Sequence, residues 1–62
     1  MAHIAPIALK VPEVMAALGM SRGKVYDLIR AKKLGSFKEG GSRRIPLTSV
    51  HDYVRTKMEE AA

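Results

Sequence analysis

Within three residues, the segment Leu18-Gly19-Met20-Ser21-Arg22 places a helix stop directly against a helix start. Glycine takes the left-handed conformation that ends a helix at little cost. A serine hydroxyl accepts a hydrogen bond from an early backbone N–H of the turn that follows it. Upstream, Val11, Val14, Ala17 and Leu18 recur at spacings of three and four, which predicts a first helix over about residues 11–18. Pro12 is tolerated in a first turn, and Glu13 suits the positive end of the helix dipole. Downstream, Val25, Leu28 and Ile29 share one face at 100° per residue, with Lys32 at its edge, so a second helix is expected from Arg22 to about Lys32. Its opposite face carries Gly23, Asp27 and Arg30, flanked by Lys24 and Tyr26. Two amphipathic helices joined by a three-residue link containing glycine make a helix-turn-helix, whose second helix is the one expected to enter a DNA major groove.

Beyond residue 33 the pattern changes. Two short strands are expected, about residues 36–38 and 43–45, joined through Glu39-Gly40-Gly41-Ser42 as a hairpin. Pro46 ends the second strand, and Thr48 or Ser49 is the expected cap of a third helix reaching about Glu59, with Val50, Tyr53, Val54 and, less centrally, Leu47 as its apolar stripe. Val25, Leu28, Val50 and Tyr53 are the expected core. Ile7, Ala8 and Leu9 have the character of a short strand, while Met1 to Pro6 reads as an arm. The fold class is therefore mainly α with a small β-hairpin, a winged helix-turn-helix in the order helix, helix, wing, helix. Residues 1–8 form an N-terminal arm and residues 9–60 the domain.

With 62 residues and no cysteine, the chain is expected to be one small domain without disulfide or thiolate metal site, and His3 and His51 alone cannot hold a structural zinc. No cofactor is expected. There is no Ser/His/Asp or Cys/His set, no close pair of carboxylates and no phosphate-cradling loop between strand and helix, so an enzyme is not expected. No apolar run approaches the ~20 residues of a membrane span, and the N-terminus lacks a cationic signal-peptide start, which points to a soluble intracellular chain.

Charge supplies the functional signal. From Arg22 to Arg44 there are eight Lys/Arg residues against two acids, a net of +6, whereas the whole chain carries +5. The excess is confined to the second helix and the hairpin. That concentration is the footprint of a polyanion-binding face, with nucleic acid the first candidate; charge alone would also suit an anionic membrane surface. Arg22 and Lys24 sit at the end of a helix where acids are preferred, a local cost that a phosphate or guanine edge would offset. Asp27 either pairs with Lys24 or Arg30 at helical spacing or accepts a hydrogen bond from a cytosine amino group. Gly23 costs roughly 0.5–1 kcal/mol relative to Ala inside a helix; either its missing side chain lets the backbone approach DNA or it marks a loosely formed first turn. Ser21, Tyr26 and Arg30 are candidates for backbone contacts, although Tyr26 reads equally as a half-buried packing residue. In the wing the candidates are Lys38, Gly40, Gly41, Ser42, Arg43 and Arg44; the two arginines point to opposite faces of a strand, so one is expected to meet DNA and the other to lie along the body.

Leu9-Lys10-Val11-Pro12-Glu13-Val14, Leu18-Gly19-Met20-Ser21, Val25-Tyr26 with Leu28-Ile29-Arg30, and Arg43-Arg44-Ile45-Pro46 through Val54 together resemble the excisionase family of phage DNA-binding proteins, which are MerR-like winged helices. Two residues depart from that family's pattern. Lys10 stands where a Thr or Ser cap is common, so a looser start to the first helix is expected, and the Gly40-Gly41-Ser42 tip offers no large side chain to wedge into a groove. The resemblance implies an architectural protein that binds tandem direct repeats in attachment-site DNA, bends it and turns an integrase toward excision. It further implies self-association of neighbouring copies, the integrase as partner, and residence on the nucleoid in a bacterial cytoplasm. A small winged-helix transcriptional regulator is the alternative; regulators of the MerR type carry a long dimerisation helix and effector domain, and the chain ends after the third helix.

Overall fold

The computed structural model describes residues 7–62, so residues 1–6 of the expected arm lie outside the described residues. Strand β1 (Ala8–Lys10) leads into helix α1 (Val11–Leu18) and helix α2 (Arg22–Arg30); strands β2 (Phe37–Glu39) and β3 (Ser42–Pro46) form the wing, and helix α3 (Leu47–Ala61) follows. The three strands make one antiparallel sheet in the order β1-β3-β2. The wing is thus tied to the start of the domain: Leu9 pairs with Ile45 and Lys10 with Arg44.

The turn between α1 and α2 forms as its residues dictate. Gly19 sits at φ 64°, its N–H returning to the Met15 carbonyl, and the Ser21 Oγ accepts the Lys24 N–H at 3.2 Å. The start of α1 has no side-chain cap from Lys10, but Glu13 reaches back so that its Oε1 accepts the Lys10 N–H at 2.7 Å. One orphan donor of the helix end is satisfied this way, in the manner of half a capping box.

Eight apolar side chains form the core: Leu9, Val11, Val14, Val25, Leu28, Leu34, Ile45 and Val50, with Val14, Val25 and Ile45 fully buried. Val25, Leu28 and Val50 lie where the periodicity puts them. Tyr53 does not: it is half-buried against the cluster, and Val54 beside it is 39% exposed. Ala17 is likewise exposed at the far end of α1.

Four boundaries differ from expectation. The first strand takes Ala8–Lys10 and not residues 7–9, and because Ala8 pairs with Pro46 it belongs to the sheet and not to the expected arm of residues 1–8. Helix α2 stops at Arg30, since Lys32 takes φ 62° and the N–H groups of Lys33 and Leu34 return to the Leu28 carbonyl, folding Leu34 into the core. The wing turn has two residues instead of four; Gly40 (φ 57°) and Gly41 (φ 88°) both need positive φ, as in the hairpin turns whose twist matches that of the strands. Neither Thr48 nor Ser49 caps α3, which begins at Leu47 directly after Pro46. The Ser49 Oγ instead accepts the Gly35 N–H at 3.3 Å, bracing the loop before the wing.

Candidate nucleic-acid interface

Burying Val25 and Leu28 fixes the rotation of α2. Arg22, Gly23, Lys24, Asp27 and Arg30 are consequently exposed, and Tyr26 is half-buried at the edge of the core. The first turn presents two cations around a glycine whose added Cβ would meet nothing within 4 Å. Asp27 accepts a hydrogen bond from the Arg30 Nη2, so of the two partners expected for it the structure chooses Arg30. Both side chains are more than 60% exposed. An exposed pair at this spacing contributes about 0.3–0.5 kcal/mol, little enough for either group to be redirected toward DNA.

The wing has a defined sidedness. Ile45 points into the core, so by the two-residue alternation of a strand Arg43 shares its face while Arg44 takes the other. Lys38 lies opposite Arg43 across the hairpin and shares that face with it. The Arg43 Nη1 donates to the Ser36 Oγ at 2.7 Å in a part-buried contact. Arg44 pairs with Lys10 on one side and Phe37 on the other, on the outer face of the sheet. Gly40, Gly41 and Ser42 form the exposed tip.

Helix and wing approach each other at their basic ends. Arg22 and Tyr26 from α2 and Ser42, Arg43 and Arg44 from β3 line one notch together with Lys10 and the start of α1. Among the described residues the ion pairs are Asp27–Arg30, Asp52–Arg55 and Lys57–Glu60, each within one helix. Arg22, Lys24, Lys38, Arg43 and Arg44 therefore keep their charge without a carboxylate partner among those residues. Local concentration of unpaired cations on two adjoining elements suits a polyanion.

Two participants escaped sequence reasoning. Lys10 reaches the notch through β1–β3 pairing, for which no local pattern exists. Ser36 meets Arg43 across the hairpin; the alternation counted back from Ile45 was the available signal for Arg43. A separate apolar groove of about 640 Å³ lies between α1 and α3, lined by Leu18, Leu47, Val54 and Met58 with His51 and Arg55, and shares no residue with the basic notch. Among the described residues no helix is long and apolar enough to cross a membrane, and no group of three or more His, Asp or Glu side chains forms a metal site.

Known proteins agree with this architecture. The family of helix-turn-helix domains matches residues 8–58, which span both helices, the wing and most of α3. An excisionase of Streptomyces ambofaciens is 48% identical over 61 residues, covering 98% of each chain. A probable excisionase of Saccharopolyspora erythraea is 38% identical over 47 residues, which cover 76% of this chain and 48% of that one. No solved structure matches. With a helix-turn-helix family match over most of the chain and a full-length relative of this identity, the chain belongs to the helix-turn-helix excisionase family.

Proposed function

We propose that this protein is an architectural DNA-binding factor that occupies tandem attachment-site repeats, bends them, and directs an integrase toward excision, with no bond chemistry of its own. The observation carrying this reading is the meeting of two basic elements, the first turn of α2 and the Ser42–Arg44 end of β3, with no carboxylate among the residues that line their junction. Helix α2 enters the major groove. Arg22, Lys24 and Asp27 lie near base edges, and Ser21, Tyr26 and Arg30 contact the backbone, with Gly23 allowing close approach. The wing follows the adjacent minor groove or its phosphates: Lys38, Arg43 and Arg44 supply the charge, while Gly40, Gly41 and Ser42 keep its tip thin.

One such domain covers about one half-site, so its affinity is modest and neighbouring copies supply the remainder. The groove between α1 and α3 supports that part of the reading: Met58 is 69% exposed there, on a side of the domain that the basic notch leaves free. A recombination assay tests the function. Purified integrase and attachment-site substrates are incubated with and without the protein. The reading predicts accumulation of excised product and suppression of reintegration. Unchanged recombination in both directions, with the protein bound at a single promoter palindrome instead, would identify a transcriptional regulator.

A further inference from the structure

Lys10 and Arg44 are direct partners in the antiparallel pairing of β1 with β3. Side chains opposite one another in such a pair stand about 4.5–5.5 Å apart at Cβ, and like charges there destabilise the sheet. The Glu13 carboxylate accepts the Lys10 backbone N–H but forms no ion pair with either side chain among the described residues. Neither cation belongs to an ion pair among the described residues. The strand β1 stops at Lys10, and β3 runs on toward the hairpin through Arg43 and Ser42 without it. Along this free edge lies the basic notch, about 260 Å³ in volume, whose lining holds Lys10, Arg22, Arg43 and Arg44 together with the hydroxyl-bearing Tyr26 and Ser42. Four cations, two hydroxyls and no acid line an open notch with room for a phosphate group.

We propose that this notch holds one backbone phosphate of the bound DNA and that Lys10 is a ligand to it. The inference rests on the DNA-binding reading above and deepens it by adding a third element, the β1–α1 junction, to the contact surface of helix and wing. A phosphate there turns a repulsive pair into a shared ligand shell, since an anion between two cations is attracted to both. The contact is sequence-independent and ties the wing to the β1–α1 junction in the bound state, because Arg44 and Lys10 come from those two elements.

The test compares Lys10→Thr and Lys10→Arg with wild type in binding a specific and a random duplex across a salt series. Threonine provides a side-chain cap for α1 and removes the like-charge pair, so this variant folds at least as well as wild type, which a thermal melt verifies. The salt slope of Lys10→Thr is expected to fall by about 0.9, with a parallel loss of affinity on both duplexes, while Lys10→Arg keeps the wild-type slope. A duplex scanned with single neutral methylphosphonates should reveal one position where wild type weakens and Lys10→Thr does not. Wild-type slope and affinity in a folded Lys10→Thr, while wild type binds duplex normally, overturn the notch alone. A wild-type protein that binds no duplex overturns the DNA-binding reading and the notch together. Inorganic phosphate, at matched ionic strength, raising the melting temperature of wild type but not of Lys10→Thr, with identical DNA slopes, would assign the notch to a free anion and overturn the DNA contact.

Discussion

Arg43 donates a 2.7 Å hydrogen bond from Nη1 to the Oγ of Ser36, tying the return strand of the wing to the residue that precedes its outgoing strand. The bond is part-buried, which fixes the direction of a guanidinium that would otherwise sample many rotamers. Replacing Ser36 by Ala leaves the charge but frees its orientation. DNA affinity should fall by about 0.5–1.5 kcal/mol with the salt slope preserved. Removing the charge itself behaves differently: Arg43→Ala and Arg44→Ala combined should weaken binding to every duplex and flatten the slope by about 0.9 for each phosphate that is no longer neutralised. Equal slopes for the double variant and wild type would remove the wing from the DNA surface.

Arg22 is exposed in the first turn of α2, at the dipole end that disfavours cations. Arg22→Ala should cost about 1–3 kcal/mol of binding to the specific site and less on random DNA. Competition titrations measure the difference; equal losses on both duplexes would make Arg22 a phosphate ligand and not a reader of bases.

Gly23 separates stability from function. No atom within 4 Å would meet an added Cβ, and the residue lies inside a regular helix. Gly23→Ala should therefore stabilise the free protein by about 0.5–1 kcal/mol, which for a domain of this size raises the melting temperature by several degrees. Binding should weaken, because the methyl group stands between the helix backbone and DNA. A gain in both properties would place DNA elsewhere on α2.

Local patterns in this chain were legible where one residue type decides the outcome. Gly19 and Ser21 define the turn, Val25 and Leu28 set the buried face of α2, and Gly40-Gly41 marks the wing tip. Features created by pairing distant segments were not. Lys10 meets Arg44 only once β1 has docked on β3, and Ser49 abandons its capping role because Gly35 is brought beside it. Lys32 at φ 62° defeats a periodicity argument for another reason: burying Leu34 outweighs the cost of a left-handed lysine, roughly 1–2 kcal/mol, and shortens the helix. The facing of Arg43 and Arg44 follows from the burial of Ile45, which strand alternation then transmits to its neighbours.

Leu28 is 4% exposed and joins α2 to the rest of the core. Leu28→Ala should cost about 2–5 kcal/mol, comparable to the whole stability of so small a domain. Circular dichroism is expected to show a broad, early melt; a cooperative transition near the wild-type temperature would mean that α2 is held by something other than this core.

Hydroxyl-radical footprinting of attachment-site DNA at increasing protein concentration tests the central claim most directly. The account predicts protection that appears stepwise and recurs at regular intervals across the direct repeats. Within each repeat a major-groove segment covered by α2 should be flanked by a minor-groove segment covered by the wing. Deleting residues 57–62, which removes Met58 from the apolar groove, should leave binding to one isolated repeat nearly unchanged and reduce the cooperativity between repeats. Absence of protection on attachment-site DNA, or protection confined to a single palindrome whether or not the tail is present, would contradict the account.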